Sequence, residues 1–336
     1  MKLFLHVGHG KTGSSFLQSW LAINSRELLS RQGMLYPQIC PLRRERDERA
    51  LAGLFSMGNG YVLDPLLEKD CSRHKQRRWW RRLKQQSRLK PEGLNGLVFS
   101  YEPWARQLSD CLLQLIRLAD DLDVEGIELW LLVRDPLDHA ISVYGQMVKR
   151  HGFTGSVEDW LNIYNFPEVL NQFLEAIGKY PDQITLRVDH YGRQRSHLLA
   201  LLQQWLDLDR NALWQEPKIH TVNRSLTSQE LNLMRWLNSR DSFLASFVGE
   251  RLVNTLPTVN GSLTPPSQEV CEQFLQRWLP EVSAINTLLP LKAHLELKIP
   301  SRFAEGSPKD SSQGGIILSA AQLDCLFDGL MEGSST

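Results

Sequence analysis

The residues of this chain that could do chemistry concentrate in three places. The first is Gly8-His9-Gly10-Lys11-Thr12-Gly13-Ser14-Ser15, directly after the apolar run that ends at Val7. A strand that turns through glycines into a helix aims backbone N–H groups and the positive end of the helix dipole at one point. Glycines let the backbone approach a ligand closely, and a lysine adds a mobile charge. That combination suits a phosphate. It is not a Walker A loop, because G-x-x-x-x-G-K needs a glycine five residues before Gly10 and that position is Leu5. The plain alternative is a helix-entry turn with a solvated lysine.

The second place is Arg134-Asp135-Pro136, with Ser142 eight residues after the arginine. An arginine can hold a phosphate through two N–H groups, and a serine about two helical turns on can add a third bond. Pairing of Arg134 with Asp135 or Asp138 alone is the other reading. The third place is Glu102, in SYEPW, a carboxylate able to accept a proton. His9 and His6 are the other candidate bases. Glu102 could instead cap a helix starting at Pro103 or pair with an arginine. His9 could simply shape its turn, and His6, alternating with Leu5 and Val7, reads as a packed histidine.

Positioning these groups calls for strands at Lys2 to Val7, Gly33 to Pro37, Leu97 to Tyr101, Ile127 to Val133 and Ile184 to Val188. Each is short and apolar, and most precede a helical pattern, which predicts an α/β fold with a central parallel sheet flanked by helices. Helices are expected from Ser14, with Phe16, Leu17, Trp20, Leu21 and Leu28 on one face, and from near Pro103, Pro136, Gln194 and Thr227. The late region from Thr227 to Pro300 reads as helical. In open α/β sheets ligands sit at the carboxyl ends of the strands, and Gly8, Glu102 and Arg134 all follow such ends. We place one domain at 1–300, then a polar linker (EGSPKDSSQGG, 305–315) and a short helix with Leu323, Leu326, Phe327 and Leu330 in one apolar stripe.

Beyond the physics of single residues, Lys11-Thr12-Gly13-Ser14-Ser15-Phe16 resembles the 5′-phosphosulfate loop of sulfotransferases, K-[ST]-G-[ST]-[ST]. HVGHGKTGSSFLQSWL followed by GMLYP looks like the start of bacterial members of the carbohydrate-type enzymes. VRDPLDHAISVY resembles the family's R-x7-S site for the 3′-phosphate, and the weaker likeness extends to about residue 240. The resemblance implies a P-loop NTPase-like sulfotransferase core. It also implies transfer of a sulfuryl group from 3′-phosphoadenosine-5′-phosphosulfate (PAPS) to a hydroxyl or amine, releasing 3′-phosphoadenosine-5′-phosphate (PAP), without a metal. It assigns Gly10, Lys11, Thr12, Gly13, Ser14 and Ser15 to the phosphosulfate, with Lys11 also stabilising the leaving phosphate. Arg134 and Ser142 go to the 3′-phosphate, and Glu102 or His9 acts as base.

In the same family frame, Tyr191 in ITLRVDHY falls near the adenine, or else is a half-buried packing residue. Asn223 and Arg224, in KIHTVNRSLTSQE, fall where the family places the loop that covers the nucleotide. There Thr227 and Glu230 also read as an ordinary capping box. The chain lacks the RKG loop of the cytosolic small-molecule enzymes, which moves the acceptor class away from steroids and phenols; the expected acceptor is a glycan, a glycan-containing metabolite or another small molecule. A nucleotide-dependent kinase and a non-catalytic nucleotide- or glycan-binding module are the competing classes.

Composition sets the outer limits. The 336 residues carry 38 Lys+Arg against 38 Asp+Glu, so the overall charge gives no argument for a dedicated nucleic-acid binder. With 42% hydrophobic residues the chain can bury a core, and disordered or fibrous classes are out. Five scattered cysteines without a CxxC pair argue against a disulfide framework or zinc site and fit a reducing cytoplasm. The opening apolar run is too short for a signal peptide, and the densest apolar stretch, Leu129 to Val133, falls far below the roughly 20 residues a membrane span needs. One segment departs from neutrality: residues 73–90 (RHKQRRWWRRLKQQSRLK) hold nine Lys/Arg and no acid. With Trp79 and Trp80 it predicts a sticky cationic face for an anionic acceptor, with a membrane surface or single-stranded nucleic acid as lesser alternatives and a solvated face as the plain one. Trp104, Trp130, Trp160 and Trp205 are expected in the core. The oligomeric state is open.

Overall fold

The computed structural model describes residues 1–37, 58–69, 71–86, 93–209, 212–217, 224–259, 261, 266–300 and 316–334. Five strands, β1 (Lys2–Gly8), β2 (Met34–Leu35), β3 (Gly96–Tyr101), β4 (Gly126–Val133) and β5 (Ile184–His190), form one sheet in the order β2-β3-β1-β4-β5. Every pairing is parallel, with Val7 opposite Tyr101 and Gly8 opposite Leu132. The helices are α1 (Ser14–Ile23), α2 (Ser25–Gln32), α3 (Arg73–Gln86), α4 (Trp104–Asp121), α5 (Pro136–Arg150), α6 (Val157–Ile163), α7 (Phe166–Ile177), α8 (Leu198–Trp205), α9 (Ser228–Asn238), α10 (Ser242–Thr255), α11 (Gln268–Leu288) and α12 (Ala320–Ser334). A single turn, Tyr191–Gln194, follows β5.

Two compact units emerge, the first from Met1–Arg134, Phe166–Val222 and Glu281–Leu295, the second from Asp135–Asn165, Asn223–Pro280 and Glu296–Thr336. The first contains the whole sheet. Strand alternation puts Phe4, Val98, Trp130 and Leu132 on one face, where they pack with Leu17, Trp20 and Leu21 of α1 and Leu198, Leu202 and Trp205 of α8. Residues of both faces are buried, as a parallel sheet with helices on each side requires. The single first helix expected from the Leu17-to-Leu28 pattern is two. Asn24 breaks it, its amide donating to the Trp20 and Gln215 carbonyls and accepting from the Gln215 N–H.

In the second unit Tyr144 and Val148 of α5, Leu231 and Met234 of α9, and Val248 and Leu252 of α10 share a core. Helix α12 packs on α10, and of the expected stripe Leu326 and Leu330 lie half-buried against the core of this unit. Leu323 and Phe327 are exposed, at 41% and 65%, while Cys325, Gly329 and Gly333 face inward. A side chain at Gly329 would lie 2.7 Å from the Val248 Cα, so the glycine is what permits the close approach. The linker 305–315 lies outside the described residues. No helix among the described residues is long and apolar enough to cross a membrane.

Candidate active site

Because all five strands are parallel, the segments after β1, β3, β4 and β5 leave the sheet at one edge. In the first unit this brings together the Gly8–Ser15 loop, Glu102, Arg134 and Tyr191. The order of the sheet reverses around β1, whose neighbours β3 and β4 both come later in the chain, which is where open α/β sheets form ligand crevices.

The loop is held in a shape that ordinary residues resist. Lys11 has φ 67° and Gly13 φ 81°, both left-handed. Lysine lacks glycine's freedom there, so the surroundings must hold it, a form of strain that clusters at ligand sites. Two bonds do so: Thr12, fully buried, donates its hydroxyl to the His9 carbonyl at 2.7 Å, and Arg134 Nη1 donates to the Lys11 carbonyl at 2.8 Å. At Gly13 a side chain would sit 2.6 Å from Leu198 and 3.0 Å from Tyr191, so only glycine fits. Gly13 is also the N-cap of α1, where no side chain caps the helix. Ser14 Oγ is buried with no hydrogen-bond partner. An unsatisfied buried hydroxyl at a helix start, beside close-packed glycines, fits an anion as its partner.

Glu102 is half-buried and lies along the loop. A Cβ on Gly8 would lie 3.6 Å from its Cγ, and one on Gly10 3.4 Å from its Oε2. The capping alternative does not hold, since no side chain bonds the start of α4 and no hydrogen bond or ion pair engages the Glu102 carboxylate among the described residues. His9 is 2% exposed, with its ring centroid 3.7 Å from that of Phe166, so packing dominates its surroundings. Tyr191 is half-buried, its ring 5.5 Å from the Arg134 guanidinium carbon. Arg134 is thus tied to the loop on one side and the tyrosine on the other.

Beneath the loop lies a polar cluster. His6 Nδ1 is 2.8 Å from Ser100 Oγ, which also accepts from Gln18 Nε2 at 3.1 Å. Complete burial lowers the His6 pKa to about 3, so the ring is neutral and packed, as its alternation in the strand predicts. Asn59, 4% exposed, is a residue that no local sequence pattern singles out. Its Oδ1 accepts from the Ser100 N–H at 2.8 Å, and its Nδ2 donates to the Val98 and Pro37 carbonyls at 3.0 Å each. Paired strand β2 reaches only Gly96 and Leu97, so Asn59 satisfies the open edge of β3 where it climbs toward Glu102.

Three remaining candidates belong to the second unit. Ser142 is half-buried on α5, two turns from its start. Asp135 does not cap that helix. Its Oδ1 accepts from the Glu296 N–H at 2.8 Å. Asn223 lies outside the described residues. Arg224 corrects the phosphate expectation: it is 7% exposed and all five of its N–H donors are spent. They go to both Glu230 oxygens at 2.7 Å and to the Ser225, Leu252 and Leu256 carbonyls. The capping box is the reading that stands, with Thr227 and Glu230 bonding reciprocally.

No family model matches this chain, and no curated protein matches it significantly. Among solved structures it is similar to a sulfotransferase from Alicyclobacillus acidocaldarius, at TM-score 0.41 and 12% identity over 86% of this chain and 95% of that one. It is similar to the sulfotransferase domain of the curacin biosynthetic pathway, at TM-score 0.35 and 14% identity over 83% and 97%. It is also similar to retinol dehydratase in complex with androsterone and inactive cofactor PAP, at TM-score 0.33 and 12% identity over 89% and 82%. With TM-scores below 0.5, none of these likenesses decides what this chain does; its own residues carry the functional reading.

Proposed function

We propose that this protein is a PAPS-dependent sulfotransferase acting on a hydroxyl or amine, with a glycan as the acceptor class. The observation that supports it most is the loop after β1: a left-handed Lys11 and Gly13, fastened by Arg134, with Glu102 lying along Gly8 and Gly10. In this reading the loop's backbone and Ser14 receive the phosphosulfate, and Arg134 reaches toward the 3′-phosphate. Sulfuryl transfer makes a bond from acceptor oxygen or nitrogen to sulfur while the bond from sulfur to the bridging phosphate oxygen breaks. The Lys11 ammonium would stabilise charge on the departing phosphate, and Glu102 would take the acceptor proton. Among the described residues no hydrogen bond or ion pair competes for that carboxylate.

The test is thermal shift with PAP, AMP and ATP. PAP should raise the melting temperature most, since only it carries the 3′-phosphate. A ligand bound to the native state alone stabilises by about 2.7 kcal/mol at a hundredfold excess over its Kd. Equal shifts with AMP and PAP would remove the 3′-phosphate assignment. A larger shift with ATP and Mg²⁺ would move the reading to a kinase.

A further inference from the structure

Helix α3 carries a charge pattern that the proposed chemistry does not use. Its apolar side is already occupied: Trp79 stacks on Phe99 of the sheet with centroids 6.3 Å apart, and Leu83 is fully buried. Trp80 lines a cleft with Leu118 and Asp121 of α4 and Leu122 just after it, and Arg77 stands at the rim of that cleft. The sticky aromatic face expected from the sequence is therefore turned inward. What faces outward is Arg77, Arg78, Arg81 and Arg82, all exposed and none in an ion pair among the described residues. Lys75, on the same helix, is by contrast paired with Glu68 at 2.9 Å.

Arg77 with Arg81, and Arg78 with Arg82, stand four residues apart, where like charges repel and destabilise a helix. No ion pair among the described residues offsets that repulsion, although Asp121 lines the same cleft as Arg77. An external anion would relieve it. Four-residue spacing sets successive guanidinium groups about 6 Å apart along the axis, and arginine favours flat two-pronged contact with carboxylate, sulfate and phosphate oxygens. The face holds no exposed aromatic ring for stacking bases and no exposed apolar residue to enter a lipid interface, which disfavours single-stranded nucleic acid and membrane.

We propose that the outward face of α3 is a docking surface for a linear acidic polysaccharide, held by ionic contacts to Arg77, Arg78, Arg81 and Arg82. This surface stands independently of the sulfotransferase reading and is tested without turnover. The full-length protein is titrated with heparin, a sulfated and uronate-bearing polysaccharide, at low and moderate salt. The R77Q/R78Q/R81Q/R82Q variant should bind about tenfold or more weakly, as the loss of four exposed ion pairs predicts, and binding should weaken with salt. A control, R26Q/R31Q/K179Q/R240Q, removes the same charge elsewhere and should lie within about twofold of the parent. The α3 variant should melt at or above the parent, because repulsion has been removed, and R78Q/R82Q alone serves if the fourfold variant fails to fold. Equal weakening in both fourfold variants would overturn the proposal in favour of general charge. Tighter binding by the parent to phosphatidylserine vesicles or to a thymidine 30-mer than to heparin would overturn it in favour of a membrane or nucleic acid.

Discussion

Arg134 and Arg224 look alike in the sequence, each set where a phosphate could be expected, and the structure gives them opposite surroundings. Arg134 leaves the carboxyl end of β4 half-buried, fastens the Lys11 carbonyl and lies across Tyr191. Arg224 is sealed in the second unit, with Glu230 taking two of its bonds and three backbone carbonyls the rest. The pair shows that what an arginine can bind depends on what its nitrogens already hold. One fastens a loop; the other builds a core.

The sharpest way to break this contrast is to attack the loop's chemistry. Glu102→Gln preserves shape but cannot take a proton, so turnover with PAPS should fall by about 10²- to 10⁴-fold while PAP still raises the melting temperature. Lys11→Ala should lower turnover by about 10²- to 10³-fold. An active Gln variant with reduced thermal stability would return Glu102 to a structural role, and His9→Asn would be the next substitution to measure.

The two arginines should then separate by assay. Arg224→Met strands the buried Glu230 carboxylate and should cost about 3–5 kcal/mol in urea unfolding. Arg134→Ala should cost only about 0.5–1.5 kcal/mol, for the lost bond to the Lys11 carbonyl, and weaken PAP. If Arg224→Met keeps its stability and loses PAP instead, the contrast fails.

Protonation gives a finer division. Buried His6, with a pKa of about 3, is neutral in the fold and ordinary, near 6.5, when unfolded. Its contribution is complete above the unfolded value and declines as pH falls toward 3, by up to about 1.4 kcal/mol per pH unit. His6→Asn should flatten the urea midpoint between pH 6.5 and about 5, before carboxylates titrate. Parallel curves for the two proteins would contradict the burial. Below that range, burial alone would raise Asp189, but hydrogen bonds from Lys292 and Arg187 hold it below its usual value, so its share of stability is lost at lower pH still.

The smallest effect on turnover should come from Asn59→Ala. Loss of its bonds leaves β3 backbone groups unpaired and should cost about 1–3 kcal/mol. Turnover should fall more than apparent PAP affinity, because Glu102 follows directly on that strand.

Much of this architecture was legible beforehand. Short apolar runs located all five strands to within one or two residues, because a buried parallel strand is built mostly of apolar residues. Pro136 marked a helix start correctly, and Gly13 marked the turn that only glycine permits. The misses share a cause. Asn59 acts on residues 39 and 41 positions away, so no local pattern betrays it. Gly329 and Gly333 bring α12 close by backbone approach, which a search for large apolar side chains overlooks even though it finds Leu326 and Leu330. Likewise the partners of Arg224 come from three separate parts of its unit, and only their sum shows that no donor remains.

A two-residue β2 leaves the upper part of β3 with donors and acceptors that could accept another strand. A sheet margin with free backbone groups is a template on which another strand can add. Asn59 occupies it with a single amide, taking the Ser100 N–H and the Val98 carbonyl that an incoming strand would need. The same side chain that steadies the approach to Glu102 therefore also closes this stretch of edge to an added strand, standing in for the backbone that a longer β2 would supply.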